Sequence, residues 1–166
     1  MEYSEAKERY IEAWGSLGSS WGVNRTMAQI HALLMIATEP LSTEEIMEDL
    51  KISRGNANMN IRALLDWGLA KKVLKPGERK EYFVTDKDPM VLATQVAKER
   101  KKRELDPIIR LLDEVSAVQG EGKEVQEFKK VTTNLKGFAK QADSVINTFI
   151  QSNSNWFFKI LGKITR

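Results

Sequence analysis

The fold of this chain is decided by residues 42–85, whose sequence is STEEIMEDLKISRGNANMNIRALLDWGLAKKVLKPGERKEYFVT. Two helix starts stand in its first half. Ser42 and Glu45 are spaced as a capping box, in which each side chain binds the other residue's free backbone N–H. Ser53 is placed to cap a second helix in the same region. The spacing therefore predicts a short helix, a tight turn and a second helix over residues 53–67.

The second helix has two chemically different faces. An inward apolar stripe is formed by Ala57, Ile61, Leu64 and Leu65. The opposite arc carries Gly55, Asn56, Met59 and Arg62, with Arg54 and Asn58 at its flanks. The major groove of B-DNA is about 12 Å wide and admits one helix, where asparagine can pair with adenine and arginine with guanine. The outward arc is therefore a candidate for reading DNA bases.

A β-hairpin is predicted after this helix, because the hydrophobic period changes from near four to two. Residues 69–74 and 81–85 are expected to be strands, and Pro76-Gly77 suits the centre of a type II turn. The hairpin is basic, with lysine or arginine at positions 71, 72, 75, 79 and 80. Lys75, Arg79 and Lys80 at its tip are predicted to neutralise phosphates or to reach into the minor groove, contacts that carry little sequence information.

Charge is divided unevenly along the chain. Residues 51–85 hold 8 basic and 3 acidic side chains, a net charge of +5, whereas residues 1–50 carry −6 and residues 86–166 carry +4. A short positive block beside a negative one indicates a local site for a polyanion.

Composition excludes several other classes of function. The 166 residues are 42% hydrophobic, which is enough to bury a core. Cysteine is absent, which excludes disulfides, thiolate nucleophiles and thiolate metal sites. His31 is the single histidine, which leaves little room for histidine-based catalysis or a conventional zinc site. Neither a signal peptide nor a long apolar span is recognisable. We therefore expect a cytoplasmic protein that is not an enzyme, that needs no cofactor or metal, and that does not use a membrane.

Helices are predicted on both sides of this region. Aromatic and aliphatic residues at positions 10, 14, 17 and 21 share one face of an N-terminal helix, which Gly18 and Gly22 interrupt, and these side chains are expected to pack in a core or a dimer. Asn24 can cap a helix over residues 25–37, beside whose core stripe His31 is expected to be packed. After the hairpin, Asp88-Pro89 starts a long helical stretch, and Asp106-Pro107 should break or kink it.

A heptad seam is predicted in the C-terminal part of the chain. Its members alternate at spacings of three and four, at Phe128, Val131, Leu135, Phe138, Ala142, Val145 and Phe149. Such a seam is typical of long helices that pack lengthwise. Residues 156–164 form one more amphipathic stretch, for which docking on the protein's own dimer is favoured over contact with a membrane surface.

Several segments resemble the winged-helix module of the multiple-antibiotic-resistance-regulator (MarR) superfamily, and in particular its branch named after the glycine-betaine-synthesis repressor. Residues 21–34 are similar to the start of that module, residues 52–56 and 66–69 to its recognition helix and exit, and residues 76–83 to its wing. Residues 98–107 resemble the helix that follows the wing. The similarity covers about residues 10–110 as a joint pattern.

The resemblance implies a mainly α fold with a small β-hairpin, a winged helix-turn-helix with long N- and C-terminal dimerisation helices. The corresponding domains are residues 1–22 for dimerisation, 23–87 for DNA binding and 88–166 for dimerisation. It further implies a homodimeric, sequence-specific regulator, expected to be a repressor, that binds a pseudo-palindromic site on double-stranded DNA. A small-molecule effector of unidentified chemistry is a further expected partner.

The candidate DNA-binding residues combine the helical arc, its cap and the hairpin tip. They are Ser53, Arg54, Gly55, Asn56, Asn58, Met59, Arg62, Lys75, Arg79 and Lys80. The alternative function is a winged-helix module that binds proteins of the transcription machinery without operator specificity. The basic cluster at residues 98–103 is interpreted as the solvated side of a long helix in preference to a second phosphate-binding surface.

Overall fold

The structure is a computed structural model that describes residues 1–152. It forms two compact units, Met1–Leu92 and a second unit that begins at Ala93. The first contains α1 (Tyr3–Ser20), α2 (Arg25–Ile36), β1 (Leu41–Ser42), α3 (Thr43–Leu50), α4 (Arg54–Asp66), β2 (Lys71–Leu74) and β3 (Glu81–Val84). Then follow α5 (Pro89–Arg100), a π-helical turn (Lys101–Leu105), α6 (Asp106–Val115) and α7 (Lys123–Gln151). The mainly helical fold with a small sheet is confirmed, and the amphipathic stretch 156–164 lies outside the described residues.

The helix starts are those that the sequence predicts. The Ser42 backbone N–H donates to Glu45 Oε2 at 2.7 Å, and Ser42 Oγ accepts from the Glu45 backbone N–H at 3.3 Å, which completes the capping box. Ser53 Oγ accepts from the backbone N–H of Asn56 at 3.3 Å. The side chains of Asn24 and Asp88 cap α2 and α5 in the same manner. Local hydrogen bonds therefore fix where these helices begin.

The sheet has three antiparallel strands in the order β1-β3-β2, one more than the hairpin predicted from the sequence. Lys72 pairs with Phe83 in the hairpin, and Leu41 pairs with Phe83 from the other side. The sequence predicts for Ser42 only a capping role at the start of a helix. A two-residue strand is too short to show the alternation by which strands are recognised.

The turn of the hairpin has the predicted geometry. Gly77 has φ of +83°, the value required at the third position of a type II turn, and Pro76 precedes it. The Glu78 backbone N–H donates to the Lys75 carbonyl at 3.1 Å and closes the turn. The basic residues at positions 75, 79 and 80 are thereby placed at the end of the hairpin.

The core of the first unit is centred on α2. Ile30 and Leu33 are fully buried there, together with Ile46 of α3 and Leu64 of α4. The predicted inward stripe of α4 is confirmed for Ala57, Ile61 and Leu64, whereas Leu65 is half-buried. The side chains of this stripe hold α4 against α2 and α3, and the opposite face is left to solvent.

The packing face of α1 differs from the sequence prediction. The buried residues of α1 are Ile11, Gly15 and Gly18, whereas Trp21 is 61% exposed. Gly18 does not interrupt the helix; it lies where α1 approaches α2, and a Cβ added there would stand 2.5 Å from the Ala28 Cβ. Tyr10 still reaches α2, where its hydroxyl lies 3.7 Å from Met35 Sδ, but Leu17 and Trp21 are exposed. Small residues occupy the crossing because the two helix backbones approach closely there.

At the Asp106-Pro107 pair, where a break or kink is predicted, the regular α-helix is interrupted. Residues 101–105 form a π-helical turn, in which the Asp106 backbone N–H donates to the Lys101 carbonyl five residues earlier. Pro107 lacks an N–H and its ring would clash with the carbonyl four residues earlier in a regular α-helix. A wider turn relieves this clash. Lys101 Nζ then contacts Asp106 at 2.8 Å and Asp143 of α7 at 3.0 Å.

The heptad seam lies on a continuous helix but not in the core of its own unit. The buried residues of α7 are Thr132 and Ala139, whose spacing of seven defines another face. On the seam, Phe138 is 71% exposed and Val145 is 70% exposed. An apolar stripe of α7 is thus left uncovered along the described part of the chain.

Candidate nucleic-acid interface

The candidate interface consists of the outer face of α4 and the hairpin, which we call the wing. Seven of the ten predicted residues, from Ser53 to Arg62, lie on α4 or cap it, and the other three lie between β2 and β3. Burial of Ala57 and Leu64 on the inner face fixes the rotation of α4 about its axis. The polar arc predicted from the helical period therefore faces solvent, as an element entering a groove of DNA must.

The first residue of α4 forms an ion pair with the preceding helix. Arg54 Nη2 lies 3.0 Å from Glu44 Oε1, and both side chains are substantially exposed. The pKa of the Glu44 carboxyl is lowered, first by a hydrogen bond from its own backbone N–H and then by a hydrogen bond from Arg54. From the sequence alone, Glu44 is expected only to favour the start of α3. A pairing across ten positions and two helices leaves no local pattern by which it could have been found.

The three asparagines of α4 have different environments. Asn60 is buried, and its Nδ2 donates to the Asn56 side-chain Oδ1 at 2.7 Å and to the Asn56 carbonyl at 2.9 Å. Asn56 is half-buried, with its side-chain oxygen engaged in this bond. Asn58 is exposed on the outer arc. Asn58 is therefore the most accessible asparagine of α4, whereas Asn56 and Asn60 are bonded to each other within the helix.

A shallow groove of about 340 Å³ runs along the outer arc. It is lined by Gly55, Asn58, Met59, Arg62, Ala63 and Asp66. Met59 is 61% exposed within this polar surface. An apolar side chain in such a position can contact the methyl group of thymine, whereas Arg62 can bind a base or a phosphate.

The base of the wing is organised by interactions among its own side chains. Lys72 Nζ contacts Glu81 at 2.7 Å across the two strands, and Lys75 Nζ lies 4.1 Å from the centre of the Tyr82 ring. The Tyr82 hydroxyl donates to Glu78, which raises the pKa of Tyr82 to about 12. These contacts make the hairpin a defined support for its exposed tip.

Arg79 and Lys80 are exposed at the end of the wing. The charge of Lys80 contributes to the lowered pKa values of Glu44 and Glu45, after the hydrogen bonds that dominate both shifts. Arg54 and Lys80, predicted separately from helix and hairpin patterns, therefore lie near the same end of α3. This end of the interface is not uniformly basic, since two carboxylates stand among its cations.

The basic cluster of residues 98–103 belongs to the second unit. In the basic cluster 98–103, Arg103 Nε donates to Glu99 at 3.1 Å, and Glu99 is 9% exposed. Within residues 1–152 there is no group of three histidine, aspartate or glutamate side chains that could hold a metal ion. In the same range, no helix combines the length and apolar character needed to cross a bilayer.

Comparison with known proteins supports this geometry. Residues 21–81 match the family described as "MarR family". The chain is 22% identical over 113 residues to the "HTH-type transcriptional repressor GbsR" of Bacillus subtilis (strain 168), an alignment covering 68% of this chain and 62% of the relative. It is 23% identical over 84 residues to the YvaV protein of the same organism, covering 51% of this chain and 48% of that protein. The chain thus spans about half to three-fifths of these relatives.

A solved structure shares the fold. A "Crystal Structure of a transcriptional regulator" aligns with a TM-score of 0.58 and 19% identity, over 89% of this chain and 99% of the other. The resemblance to the MarR superfamily and the winged-helix fold predicted from the sequence are confirmed by these matches. The repressor and the solved structure are both named as regulators.

Proposed function

We propose that this chain, whose residues 21–81 carry the winged-helix module of the MarR family, is a sequence-specific DNA-binding transcriptional regulator. The observation that carries this proposal is the outward polar face of α4 beside the wing. Arg54, Asn58 and Arg62 are exposed on a helix whose opposite face is fixed in the core. A rigid helix with this division can present hydrogen-bonding groups to base edges without unfolding.

In the proposed complex, α4 enters the major groove and the wing contacts the adjacent backbone. Arg54 and Asn58 are the side chains we expect to read bases, because arginine pairs with guanine and asparagine with adenine. Arg79 and Lys80 would bind phosphates or enter the minor groove, and so position the module without specifying sequence. Ser53 contributes through the cap, and Gly55 allows close approach because no Cβ stands at that position.

The protein is proposed to act as a homodimer. The uncovered seam of α7, with Phe138 and Val145 strongly exposed, supplies an apolar surface of the type that pairs lengthwise with a second helix. Two copies would present two recognition helices to a pseudo-palindromic site, with half-sites about 10 base pairs apart. This surface lies in the unit that begins at Ala93, so dimerisation and DNA reading would use different parts of the chain.

Repression is the proposed direction of regulation, since a relative that aligns with 68% of this chain is named a repressor. The proposed regulator would bind its DNA in the cytoplasm. A small-molecule effector remains a prediction. It would have to bind one arrangement of the two recognition helices better than another in order to change operator affinity.

The proposal is tested by selecting duplexes from a random library with the full chain and then titrating the selected and scrambled duplexes at several salt concentrations. We expect a preference of about 10³-fold or more for the selected duplex, with affinity that falls steeply with salt. Equal and weak binding of both duplexes would contradict the proposal. That outcome would favour the alternative, a winged-helix module that binds proteins of the transcription machinery.

A further inference from the structure

The Arg54–Glu44 ion pair places a carboxylate inside a surface proposed to bind a polyanion. Glu44 Oε1 engages Arg54 Nη2 at 3.0 Å, and the charge of Lys80 also acts on this carboxyl. The side chain of Glu44 is 44% exposed and that of Arg54 is 61% exposed. An ion pair this accessible adds little to stability. We therefore expect the ion pair to affect which groups of DNA Arg54 can bind.

Arg54 stands at the end of α4 that matters most for base contact. It is the first residue of the helix, after the Ser53 cap, and the N-terminal residues of a recognition helix are those that reach base edges. A guanidinium has five N–H donors in a rigid plane. Glu44 occupies one edge of that plane, and donors on the remaining edges can still pair with O6 and N7 of guanine.

The ion pair with Glu44 affects the binding of phosphate and of guanine by Arg54 differently. A DNA phosphate would compete with the Glu44 carboxylate, because both are anions that favour the same planar donors. Guanine is neutral, so it does not repel Glu44 and can be bound by the paired arginine. The carboxylate also cancels one positive charge of the surface, which reduces the counterion release that drives binding to any sequence.

We propose that Glu44 is a specificity-determining residue, which holds Arg54 by an ion pair so that this arginine reads a base and contributes little to sequence-independent binding of phosphates. This inference rests on the proposed function. It assigns to α3 a part in discrimination, although α3 contributes none of the residues predicted to contact DNA. The role is one of positioning and charge cancellation, since Glu44 acts through Arg54.

The test compares the full-length protein with Glu44→Gln and Glu44→Asp on the selected duplex and on a scrambled duplex, across a salt series. Glu44→Gln keeps the size of the side chain and removes its charge. We expect its affinity for scrambled DNA to rise roughly three- to tenfold at 0.15 M salt, and the salt slope on that duplex to steepen by about 1. Affinity for the selected duplex should rise by a clearly smaller factor, since Arg54 already reads its base there and gains no phosphate contact. Glu44→Asp should restore much of the discrimination.

The matched control is Glu8→Gln, which removes one negative charge from an exposed position of α1. It should leave the ratio of the two affinities unchanged. If Glu44→Gln raises both affinities by the same factor, the ratio of selected to scrambled affinity stays as in the control. That result would overturn the inference about Glu44 but leave the proposed operator binding intact. If the wild-type protein itself shows no preference, the proposed function and the inference both fall. Circular dichroism spectra of the variants verify that each is folded.

Discussion

His31 on α2 and Thr85, directly after β3, are joined by a hydrogen bond of 3.2 Å between Nε2 and Oγ1. The Thr85 hydroxyl has one proton, which it donates to a backbone carbonyl, that of Leu69 at 2.6 Å or of Asp86 at 3.2 Å. The histidine must therefore be the donor, with its proton on Nε2. This contact ties the central helix to the C-terminal end of β3, at the base of the hairpin. It agrees with the prediction that His31 is packed beside the core.

The first prediction concerns pH and stability. Burial lowers the pKa of His31 from 6.5 to about 4, so the unfolded chain binds a proton more readily than the folded protein. Stability is then complete above pH 6.5 and is lost as pH falls toward 4. We expect the free energy of unfolding to decrease by about 2 kcal/mol between pH 7 and pH 5. Urea unfolding at several pH values measures this change.

The control for that prediction is His31→Gln, which retains an N–H donor for Thr85 and does not titrate. Its stability should be nearly independent of pH over the same interval. No other histidine is present in the sequence to complicate the comparison. Parallel pH profiles for the two proteins would show that His31 is not responsible.

A second prediction contrasts two glycines within helices. Gly18→Ala should destabilise the protein by about 1–3 kcal/mol, because the added methyl group would collide with Ala28 and force α1 from α2. Gly137→Ala should instead stabilise it by about 1 kcal/mol, since no atom lies within 4 Å of the new Cβ and alanine favours helix. Thermal or urea unfolding distinguishes the two signs. A gain in stability from Gly18→Ala would contradict the observed helix crossing.

The third prediction concerns the wing. Arg79→Ala should weaken binding of selected and scrambled duplexes by a similar factor and reduce the salt slope by about 1, because a phosphate contact is lost. Arg9→Ala is the control, since Arg9 is an exposed arginine of α1 that pairs with Glu5. If Arg79→Ala weakened only the selected duplex, Arg79 would be a base-reading residue.

A fourth prediction tests the seam of α7. Phe138→Lys places a charge at the most exposed aromatic position of the seam, and we expect it to shift a dimer toward monomer at micromolar concentrations. Light scattering after size-exclusion chromatography, at several protein concentrations, reports the mass. Asn134→Lys adds the same charge at an exposed position of α7 outside the seam and should leave the mass unchanged. A monomeric wild-type protein, or a Phe138→Lys protein that remains dimeric, would refute this role of the seam.

Much of the candidate interface could be predicted because its signals are local. The caps at Ser42 and Ser53 use partners three residues away, and the type II turn is specified by Pro76-Gly77. Helical periodicity then assigns Ala57 and Leu64 inward and places the polar arc outward. Such features depend on neighbours along the chain, so one sequence is sufficient to recognise them.

Periodicity was less successful where two faces of one helix were both plausible. In α1 the aromatic residues suggested the packing face, yet Gly15 and Gly18 form it. In α7 five of the seven heptad residues are exposed, and Thr132 and Ala139 are the buried ones. A hydrophobic stripe shows that a surface is apolar. It does not identify the element that covers it.

The sequence by itself determined where the helices and the hairpin begin, which face of α4 is polar, and that the charge of residues 51–85 is positive. Only the tertiary structure decided that β1 joins the sheet and that Glu44 holds Arg54. The physical reason is the separation along the chain between the residues that interact. Capping, turns and helical period act over a few residues, whereas a two-residue strand or an ion pair between helices exists only once distant segments have been packed together.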